Sequence, residues 1–171
     1  MQITRKAMRK TFLQIQDEVI ARYGIKVNPD SCPFGCRTRT HAHTKERQVC
    51  KWKRDNSYAA TFDLLHEVGH IENNTSSMKK RAEREYYATI WAIDRCKEYN
   101  ITVRLSTLFI YQRYILSEIY RGIRRGGKNY GDFNIYKYVG KEVSLEDIYH
   151  QCTVNWQRYM DGYKEHKPIE L

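Results

Sequence analysis

The chain has 171 residues, of which 41% are hydrophobic and 13% aromatic, and it carries a formal net charge of +10. This content of large apolar side chains excludes a disordered chain, and the length predicts a single domain over residues 1–171. No run approaches the roughly 18 consecutive apolar residues of a membrane span, so contact with a membrane is not expected.

Charge and cysteine content indicate a cellular setting more than a function. The positive charge favours contact with nucleic acid or an acidic partner, but the basic residues are spread widely, which is more typical of an ordinary basic surface. The five cysteines are an odd number, and the basic start of the chain leads into an amphipathic segment, not into an apolar signal region. These features predict a cytoplasmic protein with mostly reduced thiols.

The first predicted element is a helix over residues 5–23, where large apolar side chains recur every three or four positions. These side chains are Met8, Phe12, Ile15, Val19 and Tyr23. Gly24 is a natural stop for the helix. A short strand is predicted over residues 25–27, and the Asn-Pro-Asp sequence at 28–30 predicts a turn.

Cysteine and histidine residues cluster in the next segment, at Cys32, Cys36, His41, His43 and Cys50. Such residues can hold a structural zinc ion, but their C-x3-C and H-x-H spacings match none of the strong zinc-finger patterns, so a loop with free thiols is favoured. Residues 47–53 alternate polar and apolar side chains, which predicts a strand. Its Lys and Arg side chains suit the edge of a small antiparallel sheet.

The most informative segment is His66-Glu67-Val68-Gly69-His70, within a helix predicted over residues 58–73. Two histidines at positions i and i+4 lie on the same helix face and can bind one Zn²⁺. Glu67 points roughly 100° away from His66, so it is predicted to act as a general base on a water molecule and not as a ligand.

The surroundings of this motif favour a metal site. Asn56 or Ser57 can cap the start of the helix. The helix is apolar on nearly all sides and should be buried, where two His and one Glu are costly unless a metal pairs them. Gly69 lacks a Cβ and would let a neighbouring segment or a substrate approach.

A third zinc ligand is expected from the long helix predicted over residues 78–99, because a catalytic zinc has three protein ligands and one open position. Glu83 and Glu85 are the candidates. They lie roughly 200° apart around the helix, so only one of them can face the metal, and composition alone does not choose.

Two further amphipathic helices are predicted over residues 104–121 and 144–163. Between them a glycine-rich basic loop contains Arg124, Arg125 and Lys128. These side chains are candidates for contact with a substrate or with nucleic acid phosphates, although such loops are more often simply exposed.

The two predicted metal-binding helices resemble the ImmA/IrrE family of zinc metallopeptidases, which occur in phages and mobile elements. The resemblance covers residues 58–93: an H-E-x-x-H helix is followed by Glu85-Tyr86-Tyr87-Ala88-Thr89-Ile90-Trp91-Ala92, similar to the family pattern E-x-E-A-N-x-F-A. If the family ligand is the first Glu, Glu85 supplies it. If it is the second, Tyr87 occupies that position and Glu83 would have to substitute. Glu85 is favoured.

The predicted elements and the resemblance together indicate an α+β fold with a mostly helical, zincin-like core at 58–99 and a small antiparallel sheet. The predicted helices add a helical extension over 100–171, which the resemblance does not cover. The resemblance also implies a zinc-dependent endopeptidase that cleaves a DNA-binding transcriptional repressor. Two other interpretations stay open. One is a basic protein that binds nucleic acid or a protein partner and has only a structural or vestigial metal site. The other is a zinc hydrolase acting on a non-protein substrate.

Overall fold

Helices and one small sheet make up the fold, which is α+β. The computed structural model describes residues 10–32, 40–104, 106–108, 110, 111, 114, 115 and 118. Along this part of the chain lie α1 (Phe12–Tyr23), β1 (Lys26–Asn28), β2 (His41–His43), β3 (Gln48–Cys50), α2 (Tyr58–Glu72), a 3₁₀ helix (Thr75–Ser77) and α3 (Arg81–Glu98). The described residues from 106 onward are also helical.

The helix ends follow local sequence chemistry. Thr11 forms a capping box with Gln14 at the start of α1, and Gly24 ends that helix in the left-handed conformation, with φ of 59°. The Ser57 hydroxyl accepts a hydrogen bond from the Ala60 N–H and so caps α2. The predicted helix at 144–163 and the first nine residues lie outside the described residues.

The sheet differs from the prediction in two respects. It is mixed, not antiparallel, because the central strand β3 pairs parallel with β1 and antiparallel with β2. The strand predicted as an edge is therefore the central one, and its Val49 is fully buried. The edge strand β2 lies in a segment for which a loop was favoured.

The core holds α2 between the sheet, α1 and α3. Phe62, Leu64, Leu65 and Val68 of α2 are each at most 2% exposed, as expected for a helix that is apolar on nearly all sides. Gln16 of α1 donates from its side-chain amide to Thr61 Oγ1, at 2.8 Å, and thereby joins α1 to α2. No helix in the described ranges is both long and apolar enough to cross a membrane.

Helices α2 and α3 approach closely at Gly69, which confirms the expectation that a neighbouring segment lies against this residue. A Cβ at position 69 would lie 2.6 Å from the Ala88 carbonyl oxygen and 3.0 Å from the Ala88 Cα. Real Cβ atoms do not come this close to backbone atoms, so glycine is required here by space and not by backbone conformation. The contact sets the distance between the two helices that carry the candidate ligands.

We expect Gly69→Ala to lower the free energy of unfolding by up to about 2 kcal/mol. Overpacking costs about 1–3 kcal/mol, and this exceeds the roughly 1 kcal/mol that alanine gains over glycine in helix propensity. Urea unfolding of both proteins measures the difference. A rise in stability of the size expected from helix propensity alone would contradict the close approach.

Candidate metal centre

His66, His70 and Glu85 form a group that could bind a metal ion. The two histidines lie one turn apart on α2, and Glu85 lies on the facing side of α3. The Nε2 atoms of His66 and His70 lie 3.3 and 3.4 Å from the same atom, Glu85 Oε2. His66 is 4% exposed and Glu85 is 9% exposed, so the group is shielded from bulk water.

The spacing of these atoms suits zinc. With Zn–N and Zn–O bonds of about 2.0–2.2 Å and tetrahedral angles, an imidazole nitrogen and a carboxylate oxygen on one zinc lie roughly 3.4 Å apart. Both measured N–O distances agree with this value. Both N–O distances within the group are therefore compatible with a shared metal ion, although the donor set alone does not identify the metal.

Two threonines orient the imidazoles for metal binding. The Thr89 hydroxyl donates to the Glu85 carbonyl oxygen, at 2.7 Å, so its oxygen is left to accept from His66 Nδ1, 3.4 Å away. Thr75 Oγ1 lies 2.9 Å from His70 Nδ1. A proton on each Nδ1 leaves a lone pair on each Nε2. Three acceptors then face one another, an arrangement that is favourable only when a cation or a proton joins them.

The electrostatics of the group fit a cation as well. Burial by itself would raise the pKa of the Glu85 carboxyl, but its interactions with the His66 and His70 imidazoles outweigh burial and lower the pKa to about 2. Burial lowers the pKa of His66, although its hydrogen bond with Glu85 opposes this. An ionised carboxylate and a histidine that favours the neutral form are the states in which both side chains bind metals.

Glu67 lies beside this group but is not part of it. It lines the same cleft as the three candidate ligands. Burial raises the pKa of the Glu67 carboxyl well above its usual range, the nearby Glu85 and Asp63 carboxylates raise it further, and a hydrogen bond from the Ala42 N–H of β2 opposes the rise. A half-buried carboxyl held by a strand next to a ligand group is suited to accept and release a proton.

The cleft has a volume of about 1010 Å³ and lies between β2, α2, the start of α3 and the helical residues 110, 111 and 114. Its charged lining is balanced. Four basic residues are matched by four acidic ones: Lys45, Lys51, Arg81 and Arg84 against Glu46, Asp63, Glu67 and Glu85. The positive charge of the whole chain is thus not concentrated among the described residues of this cleft.

The predicted site residues fall into three sets in the structure. His66, His70 and Glu85 come together, with Glu67 beside them. Glu83, the alternative third ligand, belongs neither to the ligand group nor to the cleft lining, because it lies roughly 200° around α3 from Glu85. The basic side chains Arg124, Arg125 and Lys128 lie outside the described residues, so contact with nucleic acid stays a prediction.

Sequence reasoning missed the residues that complete the site from other elements. Thr75 and Thr89 orient the histidines, and spacing alone does not reveal such partners. Tyr111 lies within the helix predicted over residues 104–121. Its ring centroid lies 4.5 Å from that of His66, and its hydroxyl donates to Asp63 at 3.4 Å. Tyr114 also lines the cleft, and its hydroxyl accepts from Arg81 at 3.0 Å.

Comparisons of this chain with protein-family models, with curated proteins and with solved structures give no significant match. The resemblance to the ImmA/IrrE metallopeptidases therefore rests on the motifs at residues 58–93 and stays a prediction. What is shown is an α+β fold with a buried group of three side chains that could bind a metal ion.

We expect Glu85→Gln to weaken zinc binding by more than about 100-fold, because losing even an outer partner of a zinc ligand costs about 10–100-fold. Zinc affinity, measured by competition with a chromophoric chelator, provides the test. His66→Ala serves as the positive control.

Glu83→Gln is the matched control for this experiment, since it makes the same change two residues away on α3. Its zinc affinity should equal that of the wild type. The reverse result, in which Glu83→Gln loses zinc and Glu85→Gln keeps it, would reassign the third ligand.

Proposed function

We propose that this protein is a zinc-dependent metallo-endopeptidase. His66, His70 and Glu85 would hold the zinc ion, and Glu67 would be the general base. By the resemblance described above, the substrate is a transcriptional repressor of a phage or mobile element. The enzyme would act in the cytoplasm, where such a repressor is found.

One observation carries the proposal: a carboxyl that is not a ligand lies in the same cleft as a complete set of three ligands. A structural zinc site has four protein ligands and no need of a base, whereas a catalytic site has three protein ligands and an open position. The described group contains three side chains that could be ligands, and Glu67 lies beside them in the same cleft, which supports its role as a base for a hydrolytic water.

The metal and the side chains of the protein would have separate roles in the reaction. Zinc, when bound, would act as a Lewis acid that polarises the scissile carbonyl and makes a water molecule more acidic. Glu67 would take the proton from that water as it attacks the carbonyl, and would then pass the proton to the leaving amine. The Ala42 N–H would hold the Glu67 carboxylate in position between these two steps.

Features of the cleft suit a polypeptide substrate. Among the described strands, β2 is at the edge of the sheet and borders the cleft. An extended peptide can add to such an edge through main-chain hydrogen bonds, which would bring its carbonyl groups past Glu67. The balanced charge of the lining gives no comparable support to nucleic acid as the substrate.

We expect Glu67→Gln to lower kcat by about 10²–10⁴-fold, the usual contribution of a general base, and to leave the zinc content unchanged. Glutamine keeps the shape of the side chain but cannot accept the proton. Peptide hydrolysis and zinc content are measured on the same preparation.

The matched control is Glu46→Gln, because Glu46 also lines the cleft but is exposed in the turn after β2. It should cleave at the wild-type rate. Wild-type activity in a zinc-loaded Glu67→Gln protein would rule out this mechanism.

Tyr111 and Tyr114 are candidates to stabilise the oxyanion of the transition state, because burial raises the pKa of both hydroxyls and keeps them protonated as donors. We expect Tyr111→Phe or Tyr114→Phe to lower kcat by about 10²–10³-fold, as for other oxyanion donors, with zinc content preserved. Tyr99→Phe, which removes a hydroxyl bonded to Glu18 outside the cleft, is the control. Full activity in both Tyr111→Phe and Tyr114→Phe would exclude these hydroxyls as donors to the oxyanion.

The substrate can be sought by co-expression with transcriptional regulators encoded near this protein. A specific cut should appear with the wild type and be absent with Glu67→Gln. The cleavage site would be read by mass spectrometry of the two fragments.

A further inference from the structure

A second group of potential ligands lies outside the candidate metal centre. Cys32 follows β1 and its turn, and His41 and His43 lie on β2. The Cys32 Sγ atom lies 3.6 Å from His41 Nε2 and 3.2 Å from His43 Nε2. Residues i and i+2 of a strand project from the same face, so β2 presents both imidazoles to one thiol. All three residues are partly buried.

The distances in this group suit a zinc ion with a sulfur ligand. With Zn–S of about 2.3 Å and Zn–N of about 2.0–2.1 Å, a sulfur and a nitrogen on one tetrahedral zinc lie roughly 3.5 Å apart. The two measured distances lie on either side of this value. One thiolate and two imidazoles are also a donor set that favours zinc over magnesium or calcium.

We propose that Cys32, His41 and His43 bind a second zinc ion. Three side chains leave a fourth position, which water or a further group would fill. The site shares no residue with His66, His70 and Glu85, so it does not depend on the proposed peptidase activity.

The position of this site on β2 indicates what the second ion does. β2 has only three residues and is paired on one side, with β3, in the described sheet. Its central residue, Ala42, donates the backbone hydrogen bond to Glu67. A zinc ion that joins both flanking histidines to Cys32 would fasten this short strand to the segment after β1. The second ion would therefore fix the position of β2 relative to the segment that follows β1.

Metal content provides the first test. We expect two zinc ions per wild-type chain, one in Cys32→Ser and one in the His66→Ala/His70→Ala double variant. The protein is purified with reductant and measured by mass spectrometry of its metal. A wild-type chain that binds a single ion, with no loss in Cys32→Ser, would overturn the proposal and leave the Cys32 contacts as thiol–imidazole hydrogen bonds.

Cobalt substitution separates the two sites, because only the second contains a thiolate. Cobalt-loaded wild type should show a near-ultraviolet sulfur-to-metal charge-transfer band. The band should persist in the His66→Ala/His70→Ala variant and vanish in Cys32→Ser. A band that survives Cys32→Ser would assign the sulfur ligand to another cysteine and overturn the proposed site.

Cys96→Ala is the matched cysteine control. Cys96 is fully buried in the core, and burial raises the pKa of its thiol to about 12, so it should not bind cobalt. The band should remain in this variant.

His43→Ala is a second test of the same site that does not depend on the folding of the Cys32 variant, because it keeps every thiol. It should weaken binding of the second zinc ion by more than about 100-fold, because loss of even an outer partner of a zinc ligand lowers zinc affinity by about 10–100-fold. Unchanged affinity for both ions in a folded His43→Ala protein would also contradict the site.

Discussion

The candidate metal centre depends on three hydrogen-bond acceptors that lie close together in a buried part of the fold. Two imidazole nitrogens of α2 face one carboxylate oxygen of α3, and such a group is unfavourable in an apolar core unless a cation or a proton joins it. Thr75 and Thr89 direct the lone pairs inward, and the contact of Gly69 with Ala88 sets the distance between the helices.

The sheet contributes to the site mainly through its edge strand. β2 provides the Ala42 N–H that hydrogen-bonds Glu67, and on either side of Ala42 it carries the two histidines that contact Cys32. A three-residue strand is too short to be held firmly by its own ladder, so the contacts on both sides of it matter. In the proposed enzyme, the position of the general base would thus be linked to the segment that contains Cys32.

Local chemistry explains which parts of the fold were predicted from sequence. The end of α1 at Gly24 and the cap of α2 at Ser57 depend on residues within one turn of the helix end, and both predictions are confirmed. The sheet was harder to predict, because a three-residue strand shows almost no periodic pattern of polar and apolar residues. The parallel pairing of β1 with β3 joins Lys26 to Gln48, residues far apart in the chain. The predictions of an antiparallel sheet, of an edge position for β3 and of a loop at 41–43 were wrong for this reason.

By itself, the sequence determined the local part of the metal centre. Four-residue spacing on a helix places His66 and His70 on one face wherever that helix packs, and it turns Glu67 away from them. Only the tertiary structure shows that Glu85, and not Glu83, lies beside the two histidines, because this depends on the rotation of α3 about its axis, which Gly69 and the core packing set. It also brought Thr75, Thr89 and Ala42 to the site, since each of these contacts joins elements that are separate in the sequence.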